Sequence, residues 1–260
     1  MSNLNINLIQ SLLQWENIDA NLHHFDTLIK TIDTPTDLVI LPEMFNTGFT
    51  MNAAKVAEKM GGKTHQWLQN KAQSLQTTIM GSAVIEENGK YFNRLIWAFP
   101  DGTFQTYDKR HLFRMAKEHE TYSAGEKRLI VNYKGWNICP MICYDLRFPV
   151  WSRNTANEYD LLIYVANWPQ MRAYVWSGLL HARAMENLAY VVGVNRIGED
   201  GNNIPYSGDS SVIDSTGKTI WTYSHQETVY SCTLSKLALE EYRNCFPAWM
   251  DADKFEINTL

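Results

Sequence analysis

The sequence predicts an α/β protein whose sheets are mixed and covered by helices. Apolar runs of strand length alternate with amphipathic helical stretches, which favours strands linked by helices. Hairpin turn signals lie among the same strands, and these a purely parallel, doubly wound sheet would not contain. The 260 residues carry no internal repeat, low-complexity tract or Pro/Gly/Ser-rich linker, so a single domain over 1–260 is expected.

Taken in chain order, INLIQ (6–10) and LVILPE (38–43) read as strands, with WENIDANLHHFDTLIKTI (15–32) between them as a helix. THQWLQNKAQSL (64–75) reads as a second helix before the strands TIMGSAVIE (78–86) and YFNRLIWAF (91–99). The Asn-Gly of EENGKY (86–91) joins those two strands as a hairpin, and the Asp-Gly of FPDGTF (99–104) marks another turn. WNICPMIC (136–143) and LLIYVAN (161–167) are strands, and RAYVWSGLLHARAMEN (172–187) is a third helix. AYVVGVNR (189–196), SSVID (210–214) and TVYSCTL (228–234) complete the strands, with a Thr-Gly turn in DSTGK (214–218).

A net charge of -5 gives no electrostatic reason to expect nucleic acid or an anionic membrane surface. No apolar run reaches the ~18 residues of a membrane span. The opening MSNLNINLIQ lacks the basic start and apolar stretch of a signal peptide, so a small-molecule partner and a cytoplasmic location are expected. Cys139, Cys143, Cys232 and Cys245 form no C-x-x-C pair, which argues against a zinc site and a disulfide framework. Cys139 and Cys143, on one strand, would lie ~13 Å apart, too far to bridge. A reducing compartment fits.

In CPMICYDLRFPVW (139–151) an apolar run ends at Cys143 and a polar, proline-punctuated stretch follows, which puts the cysteine on a corner. Strand C-terminal ends are where α/β enzymes hold reactive groups, although buried cysteines also serve as small hydrophobes. Glu43, after LVILP, and Lys109, in YDKRHLF, stand beside strand ends as well. A carboxylate, an ammonium and a thiol brought together make a complete acyl-transfer site: the thiol needs a base, and the tetrahedral oxyanion needs a positive donor. Each alone has a plainer reading, Glu43 as a surface cap or pair and Lys109 as part of a solvated DKRH cluster. A Cys–His hydrolase is the rival arrangement, because His111 and His119 flank the lysine segment.

LPEMFNTGF (41–49), YDKRHLF (107–113) and CYDLRFP (143–149), in that order and spacing, resemble the three catalytic motifs of the nitrilase, or carbon–nitrogen hydrolase, superfamily. ANWP (166–169), ARAMENLAYVVGVNRIGEDGN (182–202) and YSGDSSVIDSTGK (206–218) extend the resemblance over nearly the whole chain. Within the superfamily the sequence resembles the omega-amidases, which remove the distal amide nitrogen of 2-oxo acid amides. The resemblance implies a four-layer α-β-β-α sandwich, a homodimer, and no metal or organic cofactor. It also implies Glu43 as general base, Lys109 as oxyanion donor and Cys143 as nucleophile. A second glutamate belongs on the loop after the lysine, where Glu118 lies seven residues before Gly125 and Glu120 lies five. The family interval selects Glu118, with Glu120 as the alternative. In this pattern the base is a carboxylate, so His111 and His119 become supporting or surface groups, and His181 a packing or hydrogen-bonding residue.

The carboxylate of a 2-oxo acid amide calls for a guanidinium or hydroxyl donor in the pocket. Arg172, after ANWPQM, is the expected anchor; Arg114 also follows a motif region, and Arg147 reads as a scaffold ion pair. Phe45, Tyr144 and Trp168 are the expected walls of a small pocket. Alternative substrates for the same site are N-carbamoyl compounds and nitriles. A non-catalytic binding protein is disfavoured because all four polar positions hold competent residues.

Overall fold

The computed structural model describes residues 3–257. The first sheet consists, in spatial order, of β13 (Thr228–Leu234), β1 (Leu4–Gln10), β2 (Leu38–Ile40), β3 (Thr78–Glu87), β4 (Lys90–Ala98) and β5 (Phe104–Asp108). The second runs β10 (Ile197–Glu199), β11 (Pro205–Ile213), β9 (Tyr190–Asn195), β8 (Leu161–Ala166), β7 (Trp136–Ile142) and β6 (Val131–Tyr133), with β12 (Thr219–Ser224) also paired to β11. β1–β2–β3 and β7–β8–β9 pair in parallel, and the remaining neighbours are antiparallel. Both sheets are therefore mixed, as the coexistence of hairpin signals and helix-linked strands predicts. No closed barrel forms among the described residues.

The period-two alternation of the strands decides what each sheet face buries. Leu4, Ile6 and Leu8 of β1, Leu38 and Ile40 of β2 and Met80 of β3 turn toward the second sheet, whose inward face carries Ile138, Ile163 and Val192, while Met141, Leu162 and Tyr164 share the opposite face with Gly193, against α6 (Ala173–Asn187). In the first sheet Ile9, Val39, Ile79 and Ile85 face the other way, against Leu22, Phe25 and Ile29 of α1 (Ile18–Ile29) and Leu68 and Ala72 of α3 (Lys63–Leu75). Trp176, Leu180 and Ala184 of α6 and Leu239 of α7 (Lys236–Cys245) cover the outer face of the second sheet. The result is the four-layer α-β-β-α sandwich. Three short helices, α2 (Ala53–Val56), α4 (Glu118–Thr121) and α5 (Pro149–Ser152), lie in the connections.

Parallel pairing brings several strand ends to one edge of the sandwich. β5 runs parallel to β3, because it is reached from it by two antiparallel reversals. The C-terminal ends of β2, β5, β7 and β8 thus carry Glu43, Lys109, Cys143 and Asn167, and strand ends of this kind are where open α/β sheets place their ligands.

Candidate active site

Cys143 is the first residue after β7 and has φ +43°, a left-handed conformation that costs a non-glycine residue energy. The chain turns there into a tight helical stretch, Cys143–Arg147, which makes the corner the sequence implies. What holds the strained turn is Asp145. Its buried carboxylate accepts from the N–H of Ile142 (3.1 Å), the N–H of His111 (3.0 Å) and the hydroxyl of Tyr107 (2.7 Å). His111 Nδ1 lies 2.8 Å from the same carboxylate, and its ring stacks on Phe148 with 3.7 Å between centroids. Tyr107 in turn accepts from Trp151 Nε1 at 3.0 Å. His111 therefore braces the turn through Asp145, and His119 is exposed.

Glu43, Lys109 and Glu118 are buried together. The Lys109 ammonium donates to Glu43 Oε1 at 2.9 Å and to both oxygens of Glu118, at 2.9 and 3.0 Å. Asn93 of β4 donates to Glu43 Oε1 at 2.8 Å, and the Asn167 N–H donates to Glu43 Oε2 at 2.7 Å. Glu118 starts α4, and its carboxylate also accepts the N–H of Phe113 at 2.6 Å. Glu120, the alternative, is exposed and lies 3.9 Å from Lys117. The return of this loop needs Gly125: a Cβ there would stand 2.1 Å from the carbonyl oxygen of Asp108.

Burial works against the Lys109 ammonium, but the Glu118 and Glu43 carboxylates outweigh it and hold the group charged, above the usual lysine range. Burial pushes the Cys143 thiol well above its ordinary value, and the Glu43 carboxylate adds to that, so the resting group is a neutral thiol. Glu118 is raised, first by burial and then by Glu43, with Lys109 opposing. A neutral thiol, a carboxylate against it and a fixed ammonium are the three kinds of group that an acyl transfer would use as nucleophile, base and oxyanion donor. By contrast, Cys139 is sealed in the core, where burial pushes its thiol up to about 12.

Cys143 and Lys109 open onto a pocket of about 350 Å³. Of the four wall and anchor residues expected, Tyr144, Trp168 and Arg172 line it. Phe45 does not: the left-handed turn at Met44 (φ +42°) sends it into the core, edge-on to Phe25 (5.4 Å) and against Trp67 (5.8 Å). Phe49, four residues on in the same motif, takes the wall position, and its ring lies 5.0 Å from the Lys109 ammonium. Trp15, Phe113, Asn167 and Tyr206 also line the pocket: Phe113 ends the YDKRHLF motif and Asn167 follows β8, whereas Trp15 and Tyr206, the latter in β11, come from segments far in sequence from the three motifs and are brought here by tertiary packing alone. Arg147 is not a scaffold ion pair. It lines the pocket with its guanidinium 5.1 Å from the Trp168 ring, and Arg172 lies 5.3 Å from the Phe113 ring. Among the described residues neither arginine has a carboxylate partner, while Arg114 is exposed and outside the pocket lining. His181 hydrogen-bonds Ser177 and Thr219 away from the site.

The sequence profile of the family described as Carbon-nitrogen hydrolase matches residues 5–244. The chain belongs to that family. It is 50% identical over 258 residues to the protein named omega-amidase YafV of Escherichia coli (strain K12), covering 99% of this chain and 100% of the relative. A 2-oxoglutaramate amidase of Bacillus subtilis (strain 168) is 28% identical over 253 residues, covering 96% of this chain and 97% of that protein. Among solved structures, XC1258 of Xanthomonas campestris, a CN-hydrolase superfamily protein with an arsenic adduct in its active site, superposes with a TM-score of 0.97 at 46% identity, over 99% of this chain and 100% of that one. This hydrolase thus shares the fold of its relatives across its full described length.

Proposed function

We propose that this carbon–nitrogen hydrolase is an omega-amidase, one domain that hydrolyses the terminal amide of small 2-oxo acid amides such as 2-oxoglutaramate and 2-oxosuccinamate. The observation that carries the substrate class is the pair Arg147 and Arg172. Two guanidinium groups without carboxylate partners line the pocket that holds Cys143, and they suit a substrate with a carboxylate beside a 2-oxo group. The 50% identity to the omega-amidase of E. coli supports the same reading.

The chemistry runs through a thioester. Cys143 Sγ bonds to the amide carbon as its proton passes to Glu43. The developing oxyanion faces the Lys109 ammonium and the N–H of Tyr144. The C–N bond breaks as Glu43 returns the proton to the departing nitrogen, and ammonia leaves. Water then gives a proton to Glu43 and attacks the thioester; the C–S bond breaks, the thiol regains its proton, and the product is a dicarboxylate. Glu118 fixes Lys109 through both of its oxygens and completes the charge balance of the site. No step calls for a cofactor. Tyr144, Trp168 and Arg172 contact substrate in this reading, with Phe49 in the place expected of Phe45. Exposed Val150, Tyr174 and Met185 on α5 and α6 fit a face covered by a second copy, supporting a homodimer, and the unpaired cysteines support a reducing, cytoplasmic setting.

Ammonia release from 2-oxosuccinamate and from a neutral amide of equal length tests this reading. Loss of a charge-assisted contact costs ~1.5–3 kcal/mol, or roughly ten- to a hundredfold in specificity. Arg172→Ala should remove that preference while sparing the neutral amide, and Arg147→Ala should lower it. A wild-type enzyme without the preference would contradict the omega-amidase reading. Ammonia released together with carbon dioxide from an N-carbamoyl compound would identify a carbamoyl hydrolase instead.

A further inference from the structure

We propose that Asn167 reads the scissile group itself: its Oδ1 accepts an N–H of the substrate's –NH2, making the site selective for an unsubstituted amide over an ester of the same acid. This rests on the amide-hydrolase reading of the pocket. Asn167 directly follows β8, lines the pocket and is 4% exposed. It is tied to Glu43 at two points: the backbone N–H donates to Oε2 at 2.7 Å, and Nδ2 donates to the Glu43 carbonyl at 2.5 Å. A carbonyl oxygen only accepts, so the –NH2 of Asn167 must face it, and the orientation of the side-chain amide is fixed. Oδ1 is then left over as an acceptor, shut off from solvent and without a donor among the described residues.

Buried acceptors are nearly always paired, and the donors of the same loop are committed elsewhere. The Trp168 N–H donates to Asn195 Oδ1 at 2.8 Å, and Trp168 Nε1 donates to the Arg172 carbonyl at 2.8 Å. The substrate supplies what is missing. Its nitrogen must stand beside Glu43 to receive the proton on departure, and a residue bonded twice to Glu43 is its neighbour there. A primary amide brings two N–H groups to that place; a methyl ester brings none. Asn93 also carries an unpartnered Oδ1 and also donates to Glu43, but it is fully buried and does not line the pocket, so it does not compete for the role.

The test compares the omega-amide and the omega-methyl ester of one 2-oxo acid, as kcat/KM, in the wild type and in Asn167→Ala. A methoxide leaves with much less help from the Glu43 proton than an amide nitrogen does, so a displaced Glu43 would also spare the ester, and the binding comparison below, in which no group leaves, separates the two causes. Loss of the reading contact lowers the amide about tenfold more than the ester, the usual scale for one neutral hydrogen bond. Equal losses for the two substrates, in an enzyme whose wild type hydrolyses the amide, would overturn the inference alone. A wild type that leaves the amide intact would overturn the underlying amide-hydrolase reading and the inference with it. A second measurement avoids any change at Asn167: the Cys143→Ala protein should bind the amide about tenfold more tightly than the methyl ester, and equal affinities would overturn the inference.

Discussion

Substituting the two loop glutamates separates a structural accident from a working group. Glu118 is fully buried and engaged by Lys109 at both oxygens and by the Phe113 N–H. In Glu118→Gln only one oxygen remains. If it keeps the Phe113 bond at the Oε2 position, the new –NH2 stands where Oε1 was, 2.9 Å from an ammonium that can only donate. Lys109 must then swing away or lose a partner, which moves the ammonium proposed to face the oxyanion. A positioned group of this kind is worth at least ~10²-fold, which corresponds to about 2.7 kcal/mol in the barrier. Glu120→Gln touches an exposed carboxylate 3.9 Å from Lys117, and surface pairs of that sort contribute at most ~1 kcal/mol. Steady-state ammonia release on 2-oxosuccinamate reads both. A kcat lowered a hundredfold or more in Glu118→Gln, with Glu120→Gln within about twofold of wild type, is the expected result. The reverse order, or two mild effects, would refute the argument that the Lys109 geometry depends on Glu118.

Asp145→Ala should cost ~3–5 kcal/mol, because it orphans the buried donors of Tyr107 and Ile142 as well as His111; a urea unfolding curve within ~1 kcal/mol of wild type would contradict that. The thiol of Cys143 bears on alkaline stability. Its folded value lies above the unfolded one, near ~8.5, so above that pH the unfolded chain releases a proton that the folded enzyme keeps. The wild type should therefore lose stability relative to Cys143→Ala as pH rises beyond that point. Thermal melts whose difference stays constant through the alkaline range would contradict the raised thiol.

The parts of the site that were legible in the sequence are those that depend on strand ends. Glu43, Lys109 and Cys143 each follow a strand whose apolar run is visible, and parallel pairing carries their ends to one edge. Glu118 was readable only through resemblance to a family, since Glu118 and Glu120 differ in burial and not in type. Phe45 and Phe49 share one motif, and the left-handed backbone at Met44 decides which of them faces the pocket; no pattern of hydrophobicity records a φ angle. β5, β6, β10 and β12 carry no clear strand signal in the sequence because they are short or polar and lie toward the sheet margins, where burial imposes no strong alternation. Arg147 reads as a scaffold residue in the sequence because the environment of a side chain about one turn beyond Cys143 is set by tertiary packing against Trp168.

The central claim is that substrate passes through a covalent thioester on Cys143. Intact-mass measurement of the enzyme quenched during turnover of a slow 2-oxo acid amide, followed by peptide mapping, tests it most directly. The account predicts an adduct equal to the substrate less ammonia, confined to the peptide holding Cys143 and lost in Cys143→Ala together with turnover. An adduct on Cys139, Cys232 or Cys245, or undiminished ammonia release from Cys143→Ala, would contradict it.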